Sequence, residues 1–407
     1  MDRPKTSFAT LIIIYMLIIL CGFFVWFVDP LGIYSSPRFV GLNAVKCGQT
    51  SFGRVIKPVR MIDLNPDILI FGSSTAEAGI NPEPFNNSER TIYNHAVSAA
   101  SIYEIHRFVQ NAAVAAPNLK EIIVCLDFNC FITPGGMRPG AGFRDSALFV
   151  NPDGSKNFAR DAEKLRLALD SAFVSKAWET FQLQDFDSSS SQLTPFGSRT
   201  AQSRYGATKV IGKESYYQRT EKKFFERGFF LNGGESHETR YSLSPEFEFE
   251  TCIRQISKSC EKSDITLNFV LQPMHNRQLF LIDEMGLWGK LEEWKTILAT
   301  ISAEKNRIQC FDFSYSNDYT DENANDPLEY FWEGLHYRQQ LGEIILKEIL
   351  TLKDSQEAVG MNLTLPLHPT LKEQRQLFEN AKEEQYKAFE EIKMLVNLRE
   401  NEESSIR

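Results

Sequence analysis

A chain of 407 residues can bury a full core and hold one large domain, or one domain with appendages. Its hydrophobic content of 43% and charged content of 24% exclude a disordered polymer. A net charge of −9 and a pI near 5.4 leave no basic stripe for neutralising phosphates, so no nucleic-acid partner is expected, and an acidic surface suits a highly anionic polymer poorly.

The first predicted element is a membrane anchor over residues 1–28. Leu11 to Val28 is an uninterrupted apolar run, and Phe8 to Thr10 extend it towards the length that crosses a ~30 Å hydrocarbon core. Trp26 and Tyr34 near its outer end suit the interface, and Arg3 and Lys5 before it predict a cytoplasmic N-terminus. A cleaved signal peptide is the alternative, but Val28-Asp29-Pro30-Leu31 offers no small-residue cleavage site. The expectation is a single-pass protein of the bacterial inner (cytoplasmic) membrane, held there by residues 8–28, with its remaining domain periplasmic or otherwise extracytoplasmic.

Residues 29–62, with Asp-Pro, Ser-Ser-Pro and scattered glycines, read as an irregular stalk. An α/β domain is then expected over 63–352. Ile68–Phe71, Glu121–Leu126, Thr266–Leu271 and Ile308–Phe313 read as short, continuously apolar strands. Helices are expected at Ser101–Ala115, Glu246–Cys260, Trp288–Glu304 and Gln339–Leu352. That alternation predicts a mostly parallel sheet covered on both faces, a three-layer α/β/α sandwich. Ligands of such sheets bind at the C-terminal strand ends, where Ser74, Asp127–Cys130 and Gln272–Asn276 fall. Residues 131–240 break the pattern with Gly-rich and Ser-rich stretches around a helical piece, Phe158–Trp178. With Phe173, Trp178, Tyr205, Tyr216 and Phe224 they read as an inserted lid. The Glu/Lys-rich segment 353–407 reads as a charged, exposed helical tail suited to a partner. No CxxC or Cys/His spacing suggests zinc, so neither a metal nor a cofactor is expected.

Two short blocks carry the chemistry. Gly72-Ser73-Ser74 follows the first strand directly, which places a serine hydroxyl at a strand-to-helix turn. Glu333-Gly334-Leu335-His336 pairs an acid with an imidazole on one loop. Ser74 is thus the candidate nucleophile, His336 the general base and Glu333 the group that orients it, with Asp326 a substitute acid. Serines after strands are also ordinary helix N-caps, and a lone histidine among aromatics is usually structural. His275, just past another strand, is the rival base or a residue of the substrate cleft, together with Asn94 and Trp332.

These blocks resemble the SGNH (GDSL-like) hydrolase superfamily, whose nucleophile lies in a Gly-Asp-Ser block and whose acid and base lie in an Asp-x-x-His block. Here Ser73 replaces the Asp of the first block and Glu333 that of the second. With Asp29-Pro30-Leu31-Gly32-Ile33-Tyr34 after the anchor, the chain is similar to membrane-anchored bacterial proteins of that superfamily that O-acetylate alginate and related exopolysaccharides. The similarity runs from residue 7 to about 350. It implies a serine-dependent acyl ester hydrolase or O-acyltransferase acting on a cell-envelope carbohydrate, with an acyl-donor membrane protein as a further partner. It also implies an oxyanion hole. Ser74 N–H, the N–H of Ala96 in place of a family glycine, and the Asn129 side chain are the candidate donors. Thr75 stands where the alginate type often has Arg, which argues against an anionic sugar. The alternative is a non-catalytic envelope scaffold or glycan-binding protein that keeps the fold.

Overall fold

A computed structural model describes residues 8–46, 48–132, 138–140, 142–158, 165–184, 193–200, 212, 215–216, 218–222, 248–321, 329–351 and 359–406. It is a mixed α/β fold on a six-stranded sheet. The strands are β1 (Ile68–Phe71), β2 (Ile92–Asn94), β3 (Glu121–Leu126), β4 (Thr266–Leu271), β5 (Ile308–Asp312) and β8 (Met361–Asn362), in the order β2-β1-β3-β4-β5-β8. Every pairing is parallel except β5 with β8. A separate antiparallel pair, β6 (Phe331–Glu333) and β7 (His336–Tyr337), sits apart from this sheet.

Alternate strand residues feed two different apolar clusters, as the pleat requires. Leu69, Phe71, Ile122, Val124, Leu267 and Phe269 enter one. Ile68, Ile70, Ile123, Cys125 and Val270 enter the other. Neither face of the central strands is left to water, which is why they read as unbroken apolar runs rather than as alternating ones. The helix Ile102–Ala115 begins where a capping box satisfies its first amides: the Ser101 hydroxyl accepts from the Glu104 N–H, and the Glu104 carboxylate accepts from the Ser101 N–H.

Two expected segments differ. The stalk over 29–62 contains a helix, Gly53–Leu64, with Val55, Ile56, Val59 and Met61 buried. Even its Lys57 is buried, paired with Glu77 at 3.2 Å. The tail is also not an exposed appendage. β8 adds a strand to the sheet, and the helices His368–Glu384 and Tyr386–Ile406 bury Phe378, Ala381, Phe389, Ile392 and Val396 against the domain. Phe280 meets the Phe378 and Phe389 rings at 5.9 and 5.7 Å. Up to residue 398 the glutamates and lysines of these helices are exposed or half-buried. Of the helical piece expected over 158–178, residues 165–168 are helical, 159–164 lie outside the described residues, and a second helix runs Ser171–Gln182 behind an Asp170 N-cap. Tyr205 and Phe224 lie outside the described residues.

Phe8–Val28 is one helix with a mean hydropathy of 2.9, long and apolar enough to cross a membrane, as an anchor or a signal sequence is.

Candidate active site

The site forms at the C-terminal ends of β1, β3 and β4. Their register, Phe71 beside Val124 and Leu126 beside Leu271, brings the residues just past each strand to one rim. The chain leaves β1 through Gly72, where a β-carbon would lie 2.9 Å from both the Cys125 carbonyl oxygen and the Ala76 methyl, so only glycine passes. Ser73 then caps the short helix Ser74–Gly79, its hydroxyl accepting from the Thr75 N–H at 3.3 Å. Ser74 is the first residue of that helix, where an amide has no carbonyl one turn back to bond.

From β6 and β7, which join in a tight two-residue turn, come the other two groups. His336 Nε2 stands 2.9 Å from Ser74 Oγ, and the Glu333 carboxylate is hydrogen-bonded to His336 Nδ1. Its other oxygen accepts the Leu335 and His336 amides at 2.8 and 3.2 Å, so the carboxylate is held before it holds the ring. With Nδ1–H donated to Glu333, the imidazole presents Nε2 as an acceptor for the serine proton. Glu333 and His336 are buried and Ser74 is partly open, an arrangement that shields the base and leaves the hydroxyl accessible.

Behind this triad runs a second chain of polar contacts, among residues that sequence reasoning placed at this rim without assigning them a role. Ser73 donates to Asp127, Gln272 Nε2 donates to the other Asp127 oxygen at 2.8 Å, and the Tyr337 hydroxyl donates to Gln272 Oε1 at 3.0 Å. Burial raises the Asp127 carboxyl above its ordinary range, opposed by the Ser73 and Thr75 hydrogen bonds and by His336. The available signal was position, since Asp127 and Gln272 each directly follow an apolar strand.

The other expected site residues have different roles. Asn94 is fully buried; its Nδ2 donates to the Ala76 and Ile80 carbonyls and its Oδ1 accepts the Ala96 N–H at 2.9 Å. That removes Asn94 from any cleft, and it commits the Ala96 amide to Asn94 instead of to an oxyanion. The Ala96 carbonyl accepts from Lys57, whose ammonium burial has lowered to about 8 against the pull of Glu77. His275 is the N-cap of the helix Asn276–Glu284: its Nδ1 accepts from the Arg277 N–H at 3.2 Å and its ring stands edge-on to Phe331 at 5.2 Å. Its ring thus packs on β6, and its Nδ1 is committed to the helix cap. Trp332 is buried beneath the Arg338 guanidinium, 4.2 Å from the ring centre, and forms no open cleft wall. Asn129 is half-buried where it opens a short helix, Asn129–Ile132, just past β3. Asp326 lies outside the described residues.

Among the described residues no group of three or more His, Cys, Asp or Glu side chains is placed to hold a metal ion. Comparison with protein-family models finds no match, and comparison with curated proteins finds none either.

Proposed function

We propose that this protein is a serine-dependent acyl ester hydrolase or O-acyltransferase of the SGNH type, built as a three-layer α/β/α sandwich. The observation that carries this reading is the Ser74–His336 contact of 2.9 Å with Glu333 on the far side of the imidazole. Ser74 Oγ attacks an acyl carbonyl carbon as its proton passes to His336 Nε2. The tetrahedral intermediate collapses when the bond to the donor oxygen breaks, and His336 returns that proton to the leaving alcohol. An acceptor hydroxyl, or water, then gives its proton to His336 and attacks the acyl-serine, and Ser74 is released with its proton restored. Glu333 keeps Nδ1–H in place and stabilises the transient imidazolium. The Ser74 amide is the donor for the developing oxyanion, with Asn129 as its side-chain partner.

The apolar helix Phe8–Val28 and the cations Arg3 and Lys5 support an uncleaved anchor with the α/β domain outside the cytoplasm, in the periplasm of a two-membrane bacterium. There the acceptor is a cell-envelope carbohydrate and the acyl group arrives from a membrane protein. The occupied Ala96 amide favours a second reading, an envelope scaffold with the hydrolase fold and no turnover. Turnover of p-nitrophenyl acetate by the purified full chain decides between them. Loss of turnover in Ser74→Ala supports the enzyme, and a folded wild-type protein with none supports the scaffold.

A further inference from the structure

We propose that the domain is seated in the bilayer surface by an apolar collar around the outer end of the anchor helix, whose occupant is the headgroup–acyl boundary of a lipid membrane. The inference rests on the anchor reading above and goes beyond it, because an anchor alone could tether a domain that floats in water.

The anchor helix is too short to cross by its free part. The apolar run begins at Phe8, and among the described residues its exposed part is Phe8–Phe23, broken only at the half-buried Gly22; Val25 and Val28 are buried in the domain, and Phe24 and Phe27 partly so. Sixteen residues at 1.5 Å each rise about 24 Å, less than the ~30 Å hydrocarbon core. The last turn must therefore lie within the membrane boundary, and whatever packs on that turn goes with it.

What packs there is apolar and uncovered. The Trp178 and Phe181 rings, on the helix Ser171–Gln182, stand 6.4 and 6.2 Å from the Phe24 ring. Leu169 lies against Gly22, where an added β-carbon would meet it at 3.3 Å. On another side Phe39 stacks on Phe27 at 5.9 Å, at the start of a loop that carries Val40 and Leu42. Trp178 is 54% and Val40 96% exposed, and Leu169, Phe181, Phe39 and Leu42 are each more than a third exposed. Four large apolar side chains against one end of the anchor helix, with Val40 and Leu42 beside Phe39 in the chain, form a patch that water does not favour. A tryptophan at this level is where the interface prefers one.

The mounting is also stiff. Lys46 Nζ donates to the Val28 carbonyl at 2.8 Å, and the Asp29 carboxylate accepts the Ile33 N–H at 2.8 Å and the Tyr34 N–H at 3.2 Å. The helix end is held by the domain rather than by a swivelling linker, so the collar's depth follows from the anchor's.

The test uses the full chain in protein-free vesicles of dioleoyl phosphatidylcholine and of its brominated counterpart, which quenches only indoles that reach the lipid. The emission lost in Trp178→Phe reports Trp178, and the emission lost in Trp26→Phe reports the anchor. Val40→Trp adds an indole at a position whose side chain touches little, so the test survives if Trp178→Phe fails to fold. The expected result is that the Trp178 emission and the added Val40→Trp emission are both quenched to the same extent as that of Trp26. Quenching of Trp26 with water-like, unquenched emission from either collar position overturns the collar, leaves the anchor standing and hands the patch to a protein partner. Absence of quenching at Trp26 as well overturns the anchor and the collar together.

Discussion

A β-carbon placed on Gly79 would lie 2.2 Å from the Tyr337 ring, so the end of the Ser74 helix and the strand that carries His336 touch with no room for a methyl group. The contact bears on the distance between Ser74 and His336 from behind. Gly342 repeats it one layer out, since its own β-carbon would lie 1.9 Å from the Gly79 carbonyl oxygen. Gly79→Ala should therefore destabilise the protein by about 3 kcal/mol through overpacking and reduce ester turnover further than its stability loss explains. Denaturant unfolding and kcat on p-nitrophenyl acetate, measured on one preparation, separate the two effects.

Ser74→Ala and His336→Ala should each remove turnover by roughly a thousandfold or more, and the double variant should be no worse, because the two groups act as a unit. Glu333→Gln should cost less than either, since the carboxylate transfers no proton itself, but the loss should stay large because one amide oxygen cannot serve both Nδ1–H and the Leu335 and His336 amides. Equal losses in all three variants would give Glu333 a larger part than orientation.

Asp127→Ala should leave the Ser73 hydroxyl and the Gln272 amide without their shared acceptor, at a cost of about 3 kcal/mol. Turnover should fall with it, because Ser73 starts the turn that presents Ser74. If Asp127→Ala unfolds at the wild-type denaturant midpoint, the second chain of contacts is decorative.

Acid should weaken the fold through His95. Its ring is buried against Phe71 and Phe108, both at 4.9 Å, and neither nitrogen has a hydrogen-bond partner among the described residues. Burial, aided by the nearby Lys57 charge, lowers its pKa from 6.5 to about 3. The unfolded chain takes up a proton below about 6.5 that the folded one refuses until about 3, so stability is lost as pH falls across that window, up to about 5 kcal/mol in all. His95→Phe, which keeps the flat ring and removes the base, should flatten the dependence. An unchanged slope between pH 6 and 4, read by denaturant midpoints, would assign acid sensitivity elsewhere.

The strands β1, β3, β4 and β5 and the pairing of Ser74 with His336 and Glu333 were legible because each signal is local: an apolar run, then a short polar block beside it. The tail was misread because its apolar stripe is thin. Phe378 and Ala381, then Phe389, Ile392 and Val396, recur at helical spacing inside a Glu/Lys-rich composition that masks them. Nor does sequence reveal that Lys57 is buried, since Glu77, Ser98 and the Ala96 carbonyl that make it tolerable come from other segments. Asn94 looked like a site residue for the opposite reason: a polar side chain just past a strand reads the same whether it faces substrate or ties down its own loop.

Truncation of residues 369–407 should accordingly be severe. Gln374 donates to Asp312 and accepts from Lys295, each at 2.8 Å, completing a buried ion pair that is 2.8 Å long. Without it a charged pair opens to water beneath the sheet, and Phe280 and Trp288 lose the Phe378 ring. Phe378→Ala alone should cost about 4 kcal/mol. A truncated chain as heat-stable as the whole would restore the detached-tail picture.

Ser74 and His336 are 262 positions apart, and β8, the last strand of the six-stranded sheet, follows both in the chain. A ribosome therefore releases the serine long before its base exists. Until then the Ser74 hydroxyl is that of an ordinary alcohol. On the proposed reading, no copy can attack a carbonyl until the chain through His336 has been made and packed beside Ser74.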